Sequence, residues 1–325
     1  MKQHAWLIFR LLVTVALLGW IFHGLWLRSQ MAAPLTAAAN ADWLVAAWLA
    51  AGLGEIAGLL RFWCCLHLSG IRLPIRRAAA LQLAGMFTSL YLPGMAGGDA
   101  LKVALLALYF PQHKLNGLLA VVMDRLSGFV VITLWTLHTA WARGDWFAHT
   151  PIAASALHTA MLITGPLTGG LILGFLLTRT RFMRTRIRRF PFRERILQCE
   201  AGFDAFAADR LRILTLFATS ITAFSGYFLN FHFTALAYGA PLQWRDTFAI
   251  MPLVDLIAMI PVTIAGLGLR EQAFQLIFAP LCGLTPTQGV TISLVGFFIA
   301  STWALLGAPV FLWLRPSLKS GGLRD

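Results

Sequence analysis

The chain has 325 residues, of which 58% are hydrophobic and only 12% charged, with a mean hydropathy of +0.74; soluble domains carry about a quarter charged residues. That composition excludes a soluble enzyme. The formal charge of +13 does not argue for nucleic acid, because the basic residues gather at the ends of apolar runs instead of coating a hydrophilic face. Cys64, Cys65, Cys199 and Cys282 form no Cys-x-x-Cys pair and the eight histidines fall in no metal-ligand pattern, so no metal, redox site, cofactor or catalytic histidine is expected.

Taken in chain order, apolar runs near or above the roughly 20 residues that cross a bilayer predict six full spans: Ala5 to Leu27, Trp43 to Leu60, Leu118 to Trp141, Ile152 to Leu177, Leu211 to Tyr238 and Thr287 to Leu314. The first run exceeds the 7 to 15 apolar residues of a cleaved signal and is read as a retained helix. Two further stretches, Ala78 to Phe110 and Phe248 to Pro280, each hold two shorter apolar pieces around a Pro/Gly break. Each reads as a re-entrant helical hairpin. The predicted fold class is an all-α polytopic membrane helix bundle, a single integral membrane domain over residues 1–325.

Span, span, hairpin, span is the order in residues 1–145 and again in 146–325, which predicts an inverted repeat. Leu92-Pro93 aligns with Ile260-Pro261, Gly98 with Gly266, Leu101 with Leu269 and Lys102 with Arg270. In transporters built this way, substrate binds near the midplane, between broken helices. Orientation follows from Lys and Arg: with the N-terminus inside, 20 of the 26 basic residues fall on the cytoplasmic side, Arg61 among them, and three outside. Both termini are then cytoplasmic. Residues 179–210 form a basic cytoplasmic loop followed by an amphipathic helix. The arginines from Arg179 to Arg195 either attract anionic lipid or serve as topogenic charge on a solvated loop.

Eight charged residues fall within the apolar segments: Glu55, Asp99, Lys102, Asp124, Arg125, Asp255, Arg270 and Glu271. Each costs about 2.5 to 3.5 kcal/mol at a helix centre, so they are expected to pair, face the interior or line water. Gly97 and Gly98 permit a close approach at a helix N-terminus, with Lys102 one turn in. Lys102 is either a phosphate contact there or the i, i+3 partner of a capping Asp99. Gly266 and Gly268 precede Arg270 in the same way. Arg270 and Glu271, like Asp124 and Arg125, diverge by about 100° on a helix and are expected to take different partners. Asp255 is placed to counter Arg270 or Arg125.

Three stretches carry a resemblance: Pro93 to Lys102, Asp124-Arg125-Leu126-Ser127-Gly128, and Ile264 to Glu271. In this order they resemble the lysylphosphatidylglycerol synthase transmembrane-domain family, which includes the flippase half of the multiple peptide resistance factor and hopanoid-biosynthesis-associated membrane proteins. Lys102 stands where arginine is commoner, Asp124 where glutamate is, and Ala265 where the family has glycine. The resemblance implies a lipid translocator in a bacterial inner membrane, without the synthase activity. Two other functions are compatible with the residues. One is a membrane-embedded transferase using Asp99 or Asp124 as base, and the other is a non-catalytic partner of lipid-synthesis enzymes docked through the arginine-rich loop. A homo-oligomer is compatible with any of the three.

Overall fold

The structure is a computed structural model that describes residues 39–91, 96–178, 210–260, 262–263 and 265–320, with isolated helical positions at Val15, Gly19 and His23. The expected first span, and all of the basic segment 179–210 but Arg210, lie outside the described residues. In chain order the elements are α1 (Ala41–Leu68), α2 (Ile75–Tyr91), α3 (Ala96–Tyr109), a 3-10 turn (Pro111–His113), α4 (Lys114–Ala148), α5 (Pro151–Thr178), α6 (Arg210–Ala237), α7 (Trp244–Ala258) and α8 (Leu269–Ala273). From α8 the chain continues through a π-helical turn (Phe274–Phe278) and a last turn (Ala279–Leu281), followed by α9 (Pro286–Leu305) and α10 (Gly307–Ser320). The protein is a helical membrane bundle, and among the described residues five helical stretches are long and apolar enough to cross a membrane: Ala41–Leu68, Pro111–Ala148, Pro151–Gly174, Leu211–Ala237 and Pro286–Leu314.

Local sequence sets several helix ends. The Asn40 side chain accepts from the Asp42 N–H at 2.9 Å and starts α1, while Thr285 and Gln288 cap α9 reciprocally. The 17, 14 and 15 residues of α2, α3 and α7 rise about 26, 21 and 22 Å, short of the roughly 30 Å hydrocarbon core. These are the arms expected of the hairpins. The α2 and α3 arms run antiparallel: Gly85 faces Gly98, and Gln82 faces Lys102.

Lipid tails are as apolar as leucine, so helices here associate through close packing more than through the hydrophobic effect. The longest contact is between α1 and α6. They are antiparallel, since the Asn40 N–H donates to the Ala237 carbonyl at 2.9 Å and the Cys64 thiol donates to the Arg212 carbonyl at 3.7 Å. They cross at two glycines. A Cβ on Gly226 would lie 2.6 Å from the Ala50 carbonyl oxygen and the Gly54 nitrogen, and one on Gly54 would lie 2.9 Å from the Ala223 carbonyl oxygen. Across this crossing α2 packs on α9, and α7 packs on α4.

Two apolar cores flank it. One gathers Phe62, Leu66, Leu81, Leu105, Leu106 and Val121 around the α2–α3 hairpin. The other gathers Phe228, Phe231, Phe274, Phe278, Val254 and Ile292 around α7 and the π turn.

Two expected spans differ in form. The sixth is interrupted at Leu306, because Pro309 has no N–H to return to the Leu305 carbonyl; the chain continues as α10, with Gly307 directly on the Leu83 carbonyl of α2. The third is longer than expected, and α4 kinks at Arg143 (φ −137°, ψ 23°). There the guanidinium is held by Asp246 at 2.6 Å and lies 3.9 Å from the centre of the Trp146 ring.

Overpacking a backbone-to-backbone crossing costs about 1–3 kcal/mol. Gly226→Val is therefore expected to lower the thermal unfolding midpoint in detergent, whereas Gly169→Val, at a glycine with open space around it, leaves it unchanged.

Candidate functional site: two charged helix breaks

The first cluster is built on α3. Asp99 lies in its first turn, where the free N–H groups favour an anion. Its two carboxylate oxygens accept from Arg125 of α4, Nε at 2.6 Å and NH2 at 2.8 Å. Lys102 lies 3.8 Å from Asp99 but donates at 2.6 Å to Gln82 of α2, with its ammonium 4.6 Å from the centre of the Phe62 ring. Glycine makes this possible: a Cβ on Gly85 would lie 2.6 Å from the Lys102 Cε, and one on Gly98 would strike the Gly85 carbonyl and the Ser89 hydroxyl. Gly97 sits half-buried beside Gly98 in the same turn.

Asp124, adjacent to Arg125, turns the other way. It accepts from Arg61 Nε of α1 at 2.7 Å. A Cβ on Gly128 would lie 3.1 Å from the Arg61 guanidinium, so the glycine one turn on admits that side chain. The Ser127 hydroxyl donates to the Asp124 carbonyl at 2.9 Å. The run Asp124-Arg125-Leu126-Ser127-Gly128 thus carries two ion pairs to two different helices, together with the space for one of them. Glu55, half-buried on α1 beside Gly54, feels the charges of Lys102, Arg61 and Arg125.

The second cluster is built on α8. The approach to this helix passes through three positive φ angles: Ala265 at 51°, Gly266 at 74° and Gly268 at 89°. Glu271 folds back so that its carboxylate accepts from the Gly268 N–H. Here the expectation of separate partners is overturned: Arg270 NH2 donates to Glu271 Oε1 at 3.0 Å. The reason is that capping pulls the Glu271 carboxylate off its radial direction to the helix end, within reach of the preceding arginine. Ser293 of α9 closes the set, its hydroxyl donating to Glu271 at 2.8 Å and accepting from Arg270 Nε at 3.2 Å. Tyr227 of α6 lies near Arg270, and the guanidinium lies 4.4 Å from the centre of the Phe297 ring. Asp255, half-buried in the last turn of α7, lies in the field of Arg270 but beyond ion-pair distance.

The expected site residues therefore collect at two hairpins. Sequence reasoning missed Arg61, Gln82 and Ser293. Arg61 sits at the end of an apolar run and resembles a boundary charge, while neutral Gln82 and Ser293 carry no signal of their own. Exposure separates the cations: the side chains of Lys102, Arg270 and Arg61 are 2%, 4% and 11% exposed, whereas that of Arg125 is 41% exposed. Three are enclosed by protein partners, and the fourth holds a carboxylate in an open position.

A bundle of apolar helices around two charged helix breaks is a polytopic membrane protein with internal ionic sites. The family model described as "Lysylphosphatidylglycerol synthase TM region" matches residues 7–308, and the chain belongs to that family, a membrane family concerned with lipid handling. No curated protein and no solved structure matches it significantly.

A left-handed backbone at a residue with a Cβ costs about 1–2 kcal/mol, so Ala265→Gly is expected to raise the unfolding midpoint. Removing one partner of a buried pair costs about 3–5 kcal/mol, while replacing both by apolar groups is far cheaper. Asp124→Leu is expected to destabilise strongly and Arg61→Met with Asp124→Leu to recover most of the loss, in the same melting assay.

Proposed function

We propose that the protein translocates a polar-headed lipid, of phospholipid, aminoacyl-phospholipid or hopanoid type, between the leaflets of a bacterial cytoplasmic membrane. The observation that carries this reading is the open Asp99–Arg125 pair. A guanidinium fork binds phosphate in the same bidentate way as it binds a carboxylate, so a lipid phosphate can take the place of Asp99. Asp99 belongs to α3 and Arg125 to α4, so that exchange releases the hairpin from the span beside it. Lys102 and Arg270, with Gly97, Gly98, Gly266 and Gly268, hold the two hairpins in shape around the head group. Asp124 and Glu271 neutralise Arg61 and Arg270, and the tails remain in the bilayer.

Alternating access then comes from rocking of one half, residues 1–145, against the other, 146–325. Several contacts support an inverted repeat. The helices that correspond in the two halves, α1 and α6, are antiparallel and cross at Gly54 and Gly226. The packing of α2 on α9 mirrors that of α7 on α4. The Lys/Arg bias supports cytoplasmic termini.

Removing a charged hydrogen-bonding group forfeits about 1.5–3 kcal/mol. Arg125→Ala is expected to slow translocation of a fluorescent phospholipid in proteoliposomes about tenfold or more, with Arg125→Lys intermediate because the fork is lost. A wild-type rate in Arg125→Ala, in protein that melts normally, would sink the assignment.

A further inference from the structure

With Arg61 drawn into the interior, the membrane-embedded charges become five acids and four bases, and the geometry shows where the surplus lies. Around the first hairpin, Arg61, Lys102 and Arg125 equal Glu55, Asp99 and Asp124 in number, and all three bases act on Glu55 although it forms no ion pair. Around the second, Arg270 faces two carboxylates and is ion-paired with one of them, Glu271, while its Nε donates to Ser293. Asp255 is left over. It also occupies the last turn of α7, where the helix dipole disfavours an anion. The charge in its field is Arg270. Glu271 lies behind that arginine on α8, and Tyr227 is the titratable neighbour from α6. Ser293 of α9 is spent on Arg270 and Glu271. Of the remaining elements packed against α7, α4 brings Arg143, which Asp246 holds at 2.6 Å in the first turn of α7, and neither α4, α5 nor the π turn brings a charge into the field of Asp255.

An ionised carboxylate without a counter-charge is costly in this setting, and the least demanding neutraliser for a single half-buried carboxyl is a proton. No group of three or more His, Cys, Asp or Glu that could hold a metal ion occurs among the described residues.

We propose that Asp255 is a proton-binding site and that lipid movement through this protein is coupled to proton movement through that carboxyl. The inference rests on the translocation reading. An O–H bond forms on Asp255 with a proton from water on one face of the membrane. It breaks to water on the other face when rocking of the α7–α8 hairpin brings Arg270 towards the carboxyl, and no electron transfer is involved.

The test uses the full chain in proteoliposomes enclosing a pH-sensitive dye, with fluorescent phospholipid as cargo and a pH gradient of either sign. Lipid movement in the wild type is expected to be accompanied by a proton signal and to change several-fold with the sign of the gradient. In Asp255→Asn, rates with and without the gradient coincide. In detergent at neutral pH, part of the infrared carbonyl band of protonated carboxylic acid is expected to be lost in Asp255→Asn. Wild-type lipid movement that ignores the gradient and carries no proton overturns the coupling and leaves the translocation reading standing. A band of unchanged intensity in Asp255→Asn overturns the assignment to this residue. No lipid movement under any condition overturns the translocation reading and the coupling together, while the infrared band still reports on the proton site.

Discussion

A charge inside a bilayer must be neutralised where it stands, and that constraint organises this molecule. Each helix that bears a buried charge is drawn to the helix that answers it. Arg61 ties α1 to α4, Asp99 ties α3 to α4, Lys102 ties α3 to α2, and Arg270 with Glu271 ties α8 to α9. In apolar solvent such pairs have few rivals. They therefore set which helices meet, while the glycines beside them set how closely.

The two hairpins answer the constraint differently. In the second, the acid is next to the base in sequence, and the pair is sealed by a helix end, a serine hydroxyl and two aromatic side chains. In the first, the close pairs join different helices, and one of them, Asp99 with Arg125, is partly exposed. A sealed cluster suits a structural anchor. An open pair on separate elements suits exchange with a ligand, because displacing one member frees the element that carried it.

Much of this was legible beforehand. Arms too short to cross, set around Pro93 and Pro261, announced two hairpins, and the divergence of Asp124 from Arg125 foretold two partners for that dipeptide. The same reasoning failed at Arg270 and Glu271, because it took side chains to be radial and the capping of Gly268 makes Glu271 axial. Arg61 was hidden by its position at the end of an apolar run, where positive charge is ordinary. Gln82 and Ser293 were invisible because a neutral polar residue in a helix becomes informative only when its neighbour across the interface is known. Pro309 marks the break at Leu306 locally, but the seating of Gly307 on a carbonyl of α2, 224 positions away, is in no local pattern. The π turn at Phe274–Phe278 has the same kind of cause. A Cβ on Gly289 would lie 2.7 Å from the Phe274 carbonyl oxygen, so the widened helix depends on the bare backbone of α9.

The glycine crossing of α1 and α6 has a mechanical consequence. Side chains that interlock resist rotation, because each must climb out of its groove, but two backbones touching at Gly54 and Gly226 present almost no ridges. In the rocking proposed above, the crossing would serve as the fulcrum. Asn40 stands 14 residues from Gly54, about 21 Å along the helix, so a turn of about 10° at the fulcrum sweeps the start of α1 through about 4 Å. The hydrogen bond from Asn40 to the Ala237 carbonyl, 2.9 Å long, cannot survive that sweep. In the proposed rocking it would act as the stop on the lever.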